Sequence, residues 1–192
     1  MGLAALLVTS GSVLLGTTIS GAATAAPATI TVTPSTGLKN AQSLTVTGSG
    51  FAKNSIGNLL ECNNDPTQPT VALPSPVSAS LSVSCSAVSG EAIVLTNGKG
   101  DISATYVVVQ GTVGPPCGTS ISIIQTCPTT DSVGKSPAAD AALYPCPPTA
   151  AQQAIGDVCT LTYGDEANDS ASSNLLFGTE TPPGSTTTTT TG

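Results

Sequence analysis

The stretch TVTPSTGLKNAQSLTVTGSGFAKNS, residues 31–55, decides the fold class of this chain. It contains the end of one β-type run, TITVT at 29–33, and all of a second, SLTVT at 43–47. Apolar and polar residues alternate in both runs, as they do in strands with one buried face. Phe51 follows the second run, where we expect it to plug one end of a β-sandwich. The chain is therefore predicted to open with two strands of an all-β domain.

Short β-type runs separated by turn residues continue along the chain. The further candidates are the runs at 56–62, 80–87, 91–95, 101–109, 120–126, 158–163 and 174–177. The turn signal Asn97-Gly98-Lys99-Gly100 stands directly before the run at 101–109. Two alanine-rich stretches, at 138–144 and 149–155, are long enough only for a turn or two of helix. Many short strands with few helices predict an antiparallel β-sandwich.

The composition excludes several classes of function. The chain has 192 residues, enough for one domain, a formal net charge of −7, and no histidine, the commonest general base. Its four basic residues are scattered, so we expect no cationic groove and no direct binding of nucleic acid. Ser132 and Lys135 match a catalytic Ser-x-x-Lys pattern, but they lie in a Pro/Gly-rich loop without the partner motifs. We therefore predict a protein that is not an enzyme, with no catalytic residues.

One acidic cluster raises the question of a metal site. Asp165, Glu166, Asn168 and Asp169 carry oxygens of the kind that calcium accepts as ligands. Their spacing does not match a calcium-binding loop, so a solvated turn is the favoured interpretation. The sequence also lacks the Cys-x-x-Cys pairs that are common in zinc sites. We therefore predict no bound metal.

Residues 1–25 have the form of a secretory signal peptide. An apolar run is followed by small residues and by an Ala-x-Ala pattern at Ala23 and Ala25. No basic residue precedes the run, and a transmembrane anchor is the alternative, but the run is short and interrupted by Gly, Ser and Thr. We expect cleavage after Ala25, export of the mature chain, and no stable membrane insertion afterwards.

The cysteine content agrees with export. Six cysteines, an even number, favour disulfides in an oxidising compartment over free thiols. They can pair in many ways, and our prediction joins nearest neighbours: Cys62–Cys85, Cys117–Cys127 and Cys146–Cys159. Each closed loop would stabilise the fold by about 2–4 kcal/mol in the chain-entropy account.

The remaining segments define the domain organisation. Residues 63–79 are rich in proline and residues 111–157 hold three cysteines, so both segments look like insertions. Residues 179–192 form a low-complexity Thr-rich tail, for which we predict a disordered spacer of the kind that often leads to a cell envelope. The folded domain is therefore predicted at 26–178.

The order of these features resembles the neocarzinostatin family of secreted apoproteins. The resemblance is carried by APATITVTPSTGL, LTVTGSGF and the strand that ends at Cys62, then by NGKGDISATYVVV and by CTLTYGDEANDSASSNLLF. It implies an immunoglobulin-like sandwich of about seven strands. It also implies the pair Cys62–Cys85, with Cys159 as the last family cysteine and Cys146 as its partner, whereas Cys117 and Cys127 are extra. Members of the family bind and protect an enediyne chromophore, which itself cleaves DNA.

The positions that contact the ligand in the family are changed in this chain. The family has a Trp two residues after its first cysteine, where this chain has Asn64, and Thr160 takes the place of a ligand-contacting Gln. The loop before the second family disulfide is rich in Phe, but residues 111–126 contain no aromatic residue. The remaining residues predicted to line an apolar cleft are Leu59, Val108, Ile121 and Ile123.

Two hypotheses for the function follow. The first is an exported, monomeric, non-enzymatic protein that buries a small hydrophobic molecule, such as a non-covalent chromophore, and shields it from water and thiols. Any DNA damage or antibacterial effect would then belong to the ligand. The second is an extracellular or cell-envelope module, structural or interacting, that has lost ligand binding. The order of the strands and cysteines favours the first hypothesis, which is the leading one, whereas the missing aromatic residues and the Thr-rich tail favour the second.

Overall fold

The computed structural model describes residues 27–73, 79–86, 93–117 and 126–183. The predicted signal peptide, nearly all of the strand predicted at 120–126 and most of the Thr-rich tail lie outside these described residues. Within the described ranges, no helix has both the length and the apolar character needed to cross a membrane.

The described ranges contain ten strands and two short helices. Their bounds are β1 Thr29–Thr33, β2 Ser43–Ser49, β3 Ile56–Asn63, β4 Thr70–Ala72, β5 Ser80–Ser82, β6 Cys85–Ser86, β7 Ile93–Leu95, β8 Ile102–Val107, α1 Pro137–Ala141, α2 Ala150–Ala154, β9 Cys159–Asp165 and β10 Ser170–Leu175. Both predicted helical stretches are confirmed. The run predicted at 80–87 is split into β5 and β6 by a turn at 83–84, and the last predicted strand begins earlier, at Ser170. β4 was not predicted, because it lies in a segment interpreted as an insertion.

The turn before β8 follows from the chemistry of Asn97 and Gly100. The Asn97 side chain accepts hydrogen bonds from the backbone amides of Lys99, at 2.7 Å, and Asp101, at 3.1 Å. Gly100 has φ +86°, and an added Cβ would collide with the backbone oxygen of Phe51. Only glycine fits this position without strain. The predicted turn is therefore confirmed.

Two antiparallel sheets form the sandwich that the sequence predicts. One sheet has the strand order β1-β2-β8. The other has the order β10-β9-β3-β6, and β7 pairs with the opposite end of β3 from β6. β4 and β5 form a separate hairpin.

The main core lies between the two sheets. Its buried residues include Val32, Leu44, Val46, Phe51, Leu59, Ile102, Tyr106, Val108, Leu161, Tyr163, Leu175 and Phe177. The rings of Phe51 and Tyr163 meet edge to face, with centroids 4.7 Å apart and an interplanar angle of 77°. This geometry is favoured for aromatic pairs. Phe51 is therefore a core residue, as expected.

A second cluster of buried apolar residues lies apart from the main core. It consists of Val71, Leu73, Val83, Cys117 and Ala141, with Leu81, Cys127 and Tyr144 packed against it. The disulfide Cys117–Cys127 belongs to this cluster, and Cys146–Cys159 belongs to the main core. Together with Cys62–Cys85, these are the nearest-neighbour pairs that the sequence predicts.

A polar layer of Asn63, Gln68 and Ser84 joins the second cluster to the end of β3. The Asn63 side chain donates to the carbonyl of Pro145 at 2.9 Å, and Gln68 donates to the carbonyl of Asn63 at 2.6 Å. The Ser84 amide donates to the Gln68 side chain at 3.0 Å, and the Ser84 hydroxyl donates to the carbonyl of Tyr144. Because these side chains are buried, their hydrogen bonds offset the cost of removing them from water.

Candidate functional site

The five-stranded sheet turns one face away from the core, and we call this surface the outer face. Its outward-pointing residues are Ile56, Asn58, Leu60 and Cys62 of β3, Ile93 and Leu95 of β7, Thr160, Thr162 and Gly164 of β9, and Ser170, Ser172 and Asn174 of β10. These residues are exposed or half-buried, and the residues between them on the same strands are mostly buried. The outer face is therefore a continuous surface built on regular strands.

Strand β3 has an unusual distribution of polarity between its two faces. Its buried row is Gly57, Leu59, Glu61 and Asn63, and its outward row is Ile56, Asn58, Leu60 and Cys62. The outward row is thus the more apolar of the two. In a sheet with one face in water, the opposite distribution is expected. The outer face at β3 consequently carries more apolar side chains than a solvent-facing row of a sheet ordinarily does.

Strand β7 extends this apolar surface. Ile56 lies opposite Leu95, and Asn58 lies opposite Ile93, in the antiparallel register of β3 and β7. The exposed fractions are 44% for Ile56, 51% for Ile93 and 64% for Leu95. Directly opposed side chains in a sheet are about 4.5–5.5 Å apart at Cβ. Ile56, Leu95, Ile93 and Leu60 therefore form one apolar strip, which passes Asn58 of β3 on the β7 side.

A polar strip lies on the other side of β3. Thr162 is opposite Leu60 and Ser172, and Thr160 is opposite Cys62 and Asn174. The hydroxyl oxygens of Thr162 and Ser172 are hydrogen-bonded at 2.8 Å. The polar strip is thus made of short neutral groups that both donate and accept hydrogen bonds.

The residues predicted to contact a ligand are placed in different environments. Leu59 and Val108 are completely buried in the main core, so they present no surface to a ligand. Asn64 is exposed, but its side chain accepts a hydrogen bond from the Val158 amide at 2.7 Å, beside the start of β9. Thr160 lies on the outer face.

The remaining two predicted residues, Ile121 and Ile123, lie outside the described residues. Sequence reasoning missed Leu60, Ile93 and Leu95. The signal that identifies Leu60 is its spacing of two residues from Cys62, which places both side chains on the same face of β3.

All aromatic residues of the chain lie away from the outer face. The chain has three Tyr, two Phe and no Trp, and all of them lie in described ranges. Phe51, Tyr106, Tyr163 and Phe177 belong to the main core, and Tyr144 packs against the second cluster. The outer face therefore offers no aromatic ring to a ligand.

Glu61 lies beneath the outer face, between Leu60 and Cys62 in the chain, and its side chain is fully buried. Its Oε2 accepts a hydrogen bond from the Val109 amide at 3.1 Å, and its Oε1 has no hydrogen-bond partner among the residues that the structure describes. Burial raises the pKa of Glu61 from 4.5 to about 8, against the lowering effect of the Val109 hydrogen bond. Glu61 is therefore mainly protonated at pH 7. It is also sealed from solvent, so it is not placed to act on a bound molecule.

A polar cavity of about 300 Å³ lies between the end of α2, the start of β9 and residues 180–183. It is lined by Gln153, Ala154, Gly156, Asp157, Val158, Glu180, Thr181 and Pro183. Burial and the neighbouring charge of Asp65 raise the pKa of Asp157, and burial raises the pKa of Glu180. Within the described ranges, no three acidic or cysteine side chains are grouped as metal ligands. The cavity is less apolar than the outer face and is the weaker candidate for a hydrophobic ligand.

Comparisons with known proteins complete the description of the site. The model of the neocarzinostatin family matches residues 30–143. Among solved structures, macromomycin is 18% identical, with 78% of this chain and 98% of that chain covered at a TM-score of 0.39. The solution conformation of apokedarcidin is also 18% identical, with 80% and 100% covered at a TM-score of 0.37. No curated protein matches the sequence significantly.

Proposed function

Because the chain belongs to the neocarzinostatin family, we propose that it is a secreted, non-enzymatic protein that buries a small hydrophobic ligand against the outer face. The observation that carries the proposal is the inverted polarity of β3, whose more apolar row of side chains points away from the core. A contiguous exposed apolar surface on a soluble domain marks an interaction site. A small molecule that covers the apolar strip would remove it from water and would itself be shielded.

Two further observations support the non-enzymatic and secreted parts of the proposal. Glu61 lies between Leu60 and Cys62 of the outward row in the chain, but its carboxyl group is fully buried. The chain also contains no histidine to act as a general base. The three disulfides are typical of proteins that fold in an oxidising compartment. A carrier needs only a rigid apolar surface, and the disulfide Cys62–Cys85 holds one end of the outer face in place.

The alternative is an extracellular or cell-envelope module that binds no small molecule. The observation that favours it is the absence of aromatic side chains from the outer face, since all five are placed elsewhere. Under this alternative, another protein or an envelope polymer would cover the apolar strip. The Thr-rich tail would then hold the domain at the envelope.

Native mass spectrometry of the protein from its own culture supernatant tests the proposal. The native sample is expected to carry extra mass that is lost on denaturation. Replacing Ile93 by Lys should abolish the extra mass, because a charge would enter the apolar strip. Replacing Thr47 by Lys is the matched control, since Thr47 is an exposed strand residue of the other sheet. A bare mass in the wild-type protein, together with recovery in the cell-envelope fraction, would support the alternative instead.

A further inference from the structure

The outer face also indicates the chemical class of the molecule that covers it. Resting on the proposed function, we propose that the ligand is a neutral aliphatic molecule with hydroxyl groups along one side, such as a hydroxylated or glycosylated alkyl chain. The juxtaposition of the apolar strip (Ile56, Leu60, Ile93 and Leu95) and the polar strip (Thr160, Thr162, Ser172 and Asn174) assigns this class.

The apolar strip contacts its ligand through aliphatic side chains alone. Stacking adds about 0.5–1.5 kcal/mol to each aromatic pair beyond the burial of area, and the outer face has no ring to supply it. A flat aromatic ligand would therefore gain only from burial here. An alkyl chain loses nothing by the absence of rings, because burial of its methylene groups is its main source of binding free energy.

The dimensions suit an extended chain. Ile56 and Leu60 are four positions apart on β3, which is about 13 Å at the usual rise per residue, and Asn58 lies between them in the outward row. Ile93 and Leu95 widen the strip by one strand, and neighbouring strands are about 4.8 Å apart. The apolar strip is therefore long and narrow. That shape matches an alkyl chain that runs from Ile56 and Leu95 past Ile93 to Leu60, beside Asn58, better than a compact ring system.

The polar strip defines the other side of the ligand. The side chains of Thr160, Thr162 and Asn174 present hydroxyl and amide groups one strand or two strands away from Leu60. Gly164, in the outward row of β9, leaves open space, since an added Cβ would come no closer than 4.0 Å to the Ser170 Cβ. Thr162 already bonds Ser172, so hydroxyl groups on the ligand would pair with the remaining hydrogen-bonding capacity of this strip, above all that of Thr160 and Asn174, which a purely apolar molecule would cover without pairing.

The charge distribution favours a neutral head group over an ionic one. None of the described outer-face residues has an ionisable side chain, apart from Cys62, which is held in a disulfide. The chain as a whole carries a net charge of −7, which disfavours an anionic ligand. A cationic head group would find no carboxylate within either strip. A neutral ligand is therefore the best match to the surface.

Binding of matched probes to the mature protein tests this assignment. The probes are decyl maltoside below its critical micelle concentration, decyl sulfate with the same chain and an anionic head, and 2-naphthyl glucoside with an aromatic group. We expect decyl maltoside to bind at least about tenfold more tightly than either of the others in calorimetry. Its addition should shift the backbone amide NMR signals of Leu60, Thr162 and Ile93.

Two variants make the interpretation specific to the outer face. Thr162→Trp adds a ring to the polar strip and should move the preference toward 2-naphthyl glucoside, whereas Thr47→Lys should leave the preference unchanged. Tighter binding of 2-naphthyl glucoside or decyl sulfate to the wild-type outer face would overturn this inference and leave the carrier function intact. Failure of all three probes to bind, together with a bare native mass, would overturn both.

Discussion

The backbone amide of Val109 donates a hydrogen bond to the fully buried carboxyl group of Glu61 at 3.1 Å, while the second carboxyl oxygen has no partner in the described part of the chain. This contact joins β3 to the segment that leaves β8. Because the carboxyl group is removed from water, the folded protein holds its proton to higher pH than the unfolded chain does.

We predict that Glu61 makes the protein more stable at acidic pH. The unfolded chain releases this proton near pH 4.5 and the folded protein near pH 8, so the free energy of unfolding should fall as pH rises between these values. The full loss is about 5 kcal/mol and is complete above pH 8. Urea unfolding of Glu61→Gln at pH 4.5 and pH 8 should show a much smaller difference than the wild type.

Glu166→Gln is the matched control for this measurement, because Glu166 is an exposed carboxyl. It should keep the wild-type dependence on pH. If Glu61→Gln also kept it, the dependence would have to arise from another group.

The contact between Phe51 and Tyr163 should be measurable as a coupling free energy. Edge-to-face aromatic pairs contribute about 0.5–1.5 kcal/mol beyond the burial of their surface. A double-mutant cycle with Phe51→Leu and Tyr163→Leu, followed by urea unfolding, should give a coupling in this range. A coupling near zero would show that the two rings stabilise the core independently.

The disulfides should differ in their effect according to the cluster that contains them. Cys117 and Cys127 are separated by 10 residues and lie in the second cluster, so replacing both by Ala should cost about 3 kcal/mol in loop entropy. Cys146 and Cys159 are fully buried in the main core, so their double replacement should also disrupt core packing. We therefore expect a lower melting temperature for the second variant. Peptide mapping without reduction checks the pairing in the parent, and equal losses would contradict the assignment to separate clusters.

Asp65 and Asp157 should respond to amide replacement in opposite directions. Burial alone would raise the pKa of Asp65, but hydrogen bonds from Thr67 and Gln152 outweigh this effect and lower it. Asp65→Asn should therefore cost about 1–3 kcal/mol at pH 7, since it weakens these buried contacts. Asp157 has a raised pKa, so its ionisation is unfavourable in the folded state. Asp157→Asn should stabilise the protein at pH 7 and have less effect at pH 3.

The pH comparison for this pair is made by thermal unfolding. The stabilising contribution of Asp65 is lost as the pH falls, because its folded pKa is lowered. Asp157 destabilises the folded protein when it is ionised, and this destabilisation is lost as the pH falls, because its folded pKa is raised. Destabilisation by both replacements at pH 7 would show that the two carboxyl groups do not oppose each other.

The sandwich could be predicted because most of its strands have a clear local pattern in the sequence. β1 and β2 alternate apolar and polar residues without ambiguity, and the turn at Asn97 has a residue-specific cause. β4 could not be predicted in the same way. Its short Thr70–Ala72 sequence is embedded in a proline-rich segment and becomes a strand through pairing with β5 and packing in the second cluster.

The outer face was harder to predict for a related reason. Leu59 and Leu60 are adjacent and equally apolar, so alternation alone does not say which of them faces the core. The polar side chains Glu61 and Asn63 suggest that their row faces solvent, yet the structure buries both. Their hydrogen bonds to Val109 and Pro145, which lie on segments distant in sequence, offset the free-energy cost of burying them. Such partners are invisible to any local pattern.

The second cluster and its polar layer have a consequence for motion. Among the described residues, the chain itself, the disulfide Cys62–Cys85 and hydrogen bonds such as those of Asn63, Gln68 and Ser84 connect this cluster to the end of β3, and its buried apolar residues form a cluster separate from the main core. Regions joined in this way open as separate cooperative units with lower free energies than global unfolding. Amide hydrogen exchange should therefore be faster throughout the β4–β5 hairpin and α1 than in β2, β3 and β9. The sandwich would then stay folded while the second cluster opens and closes by local unfolding.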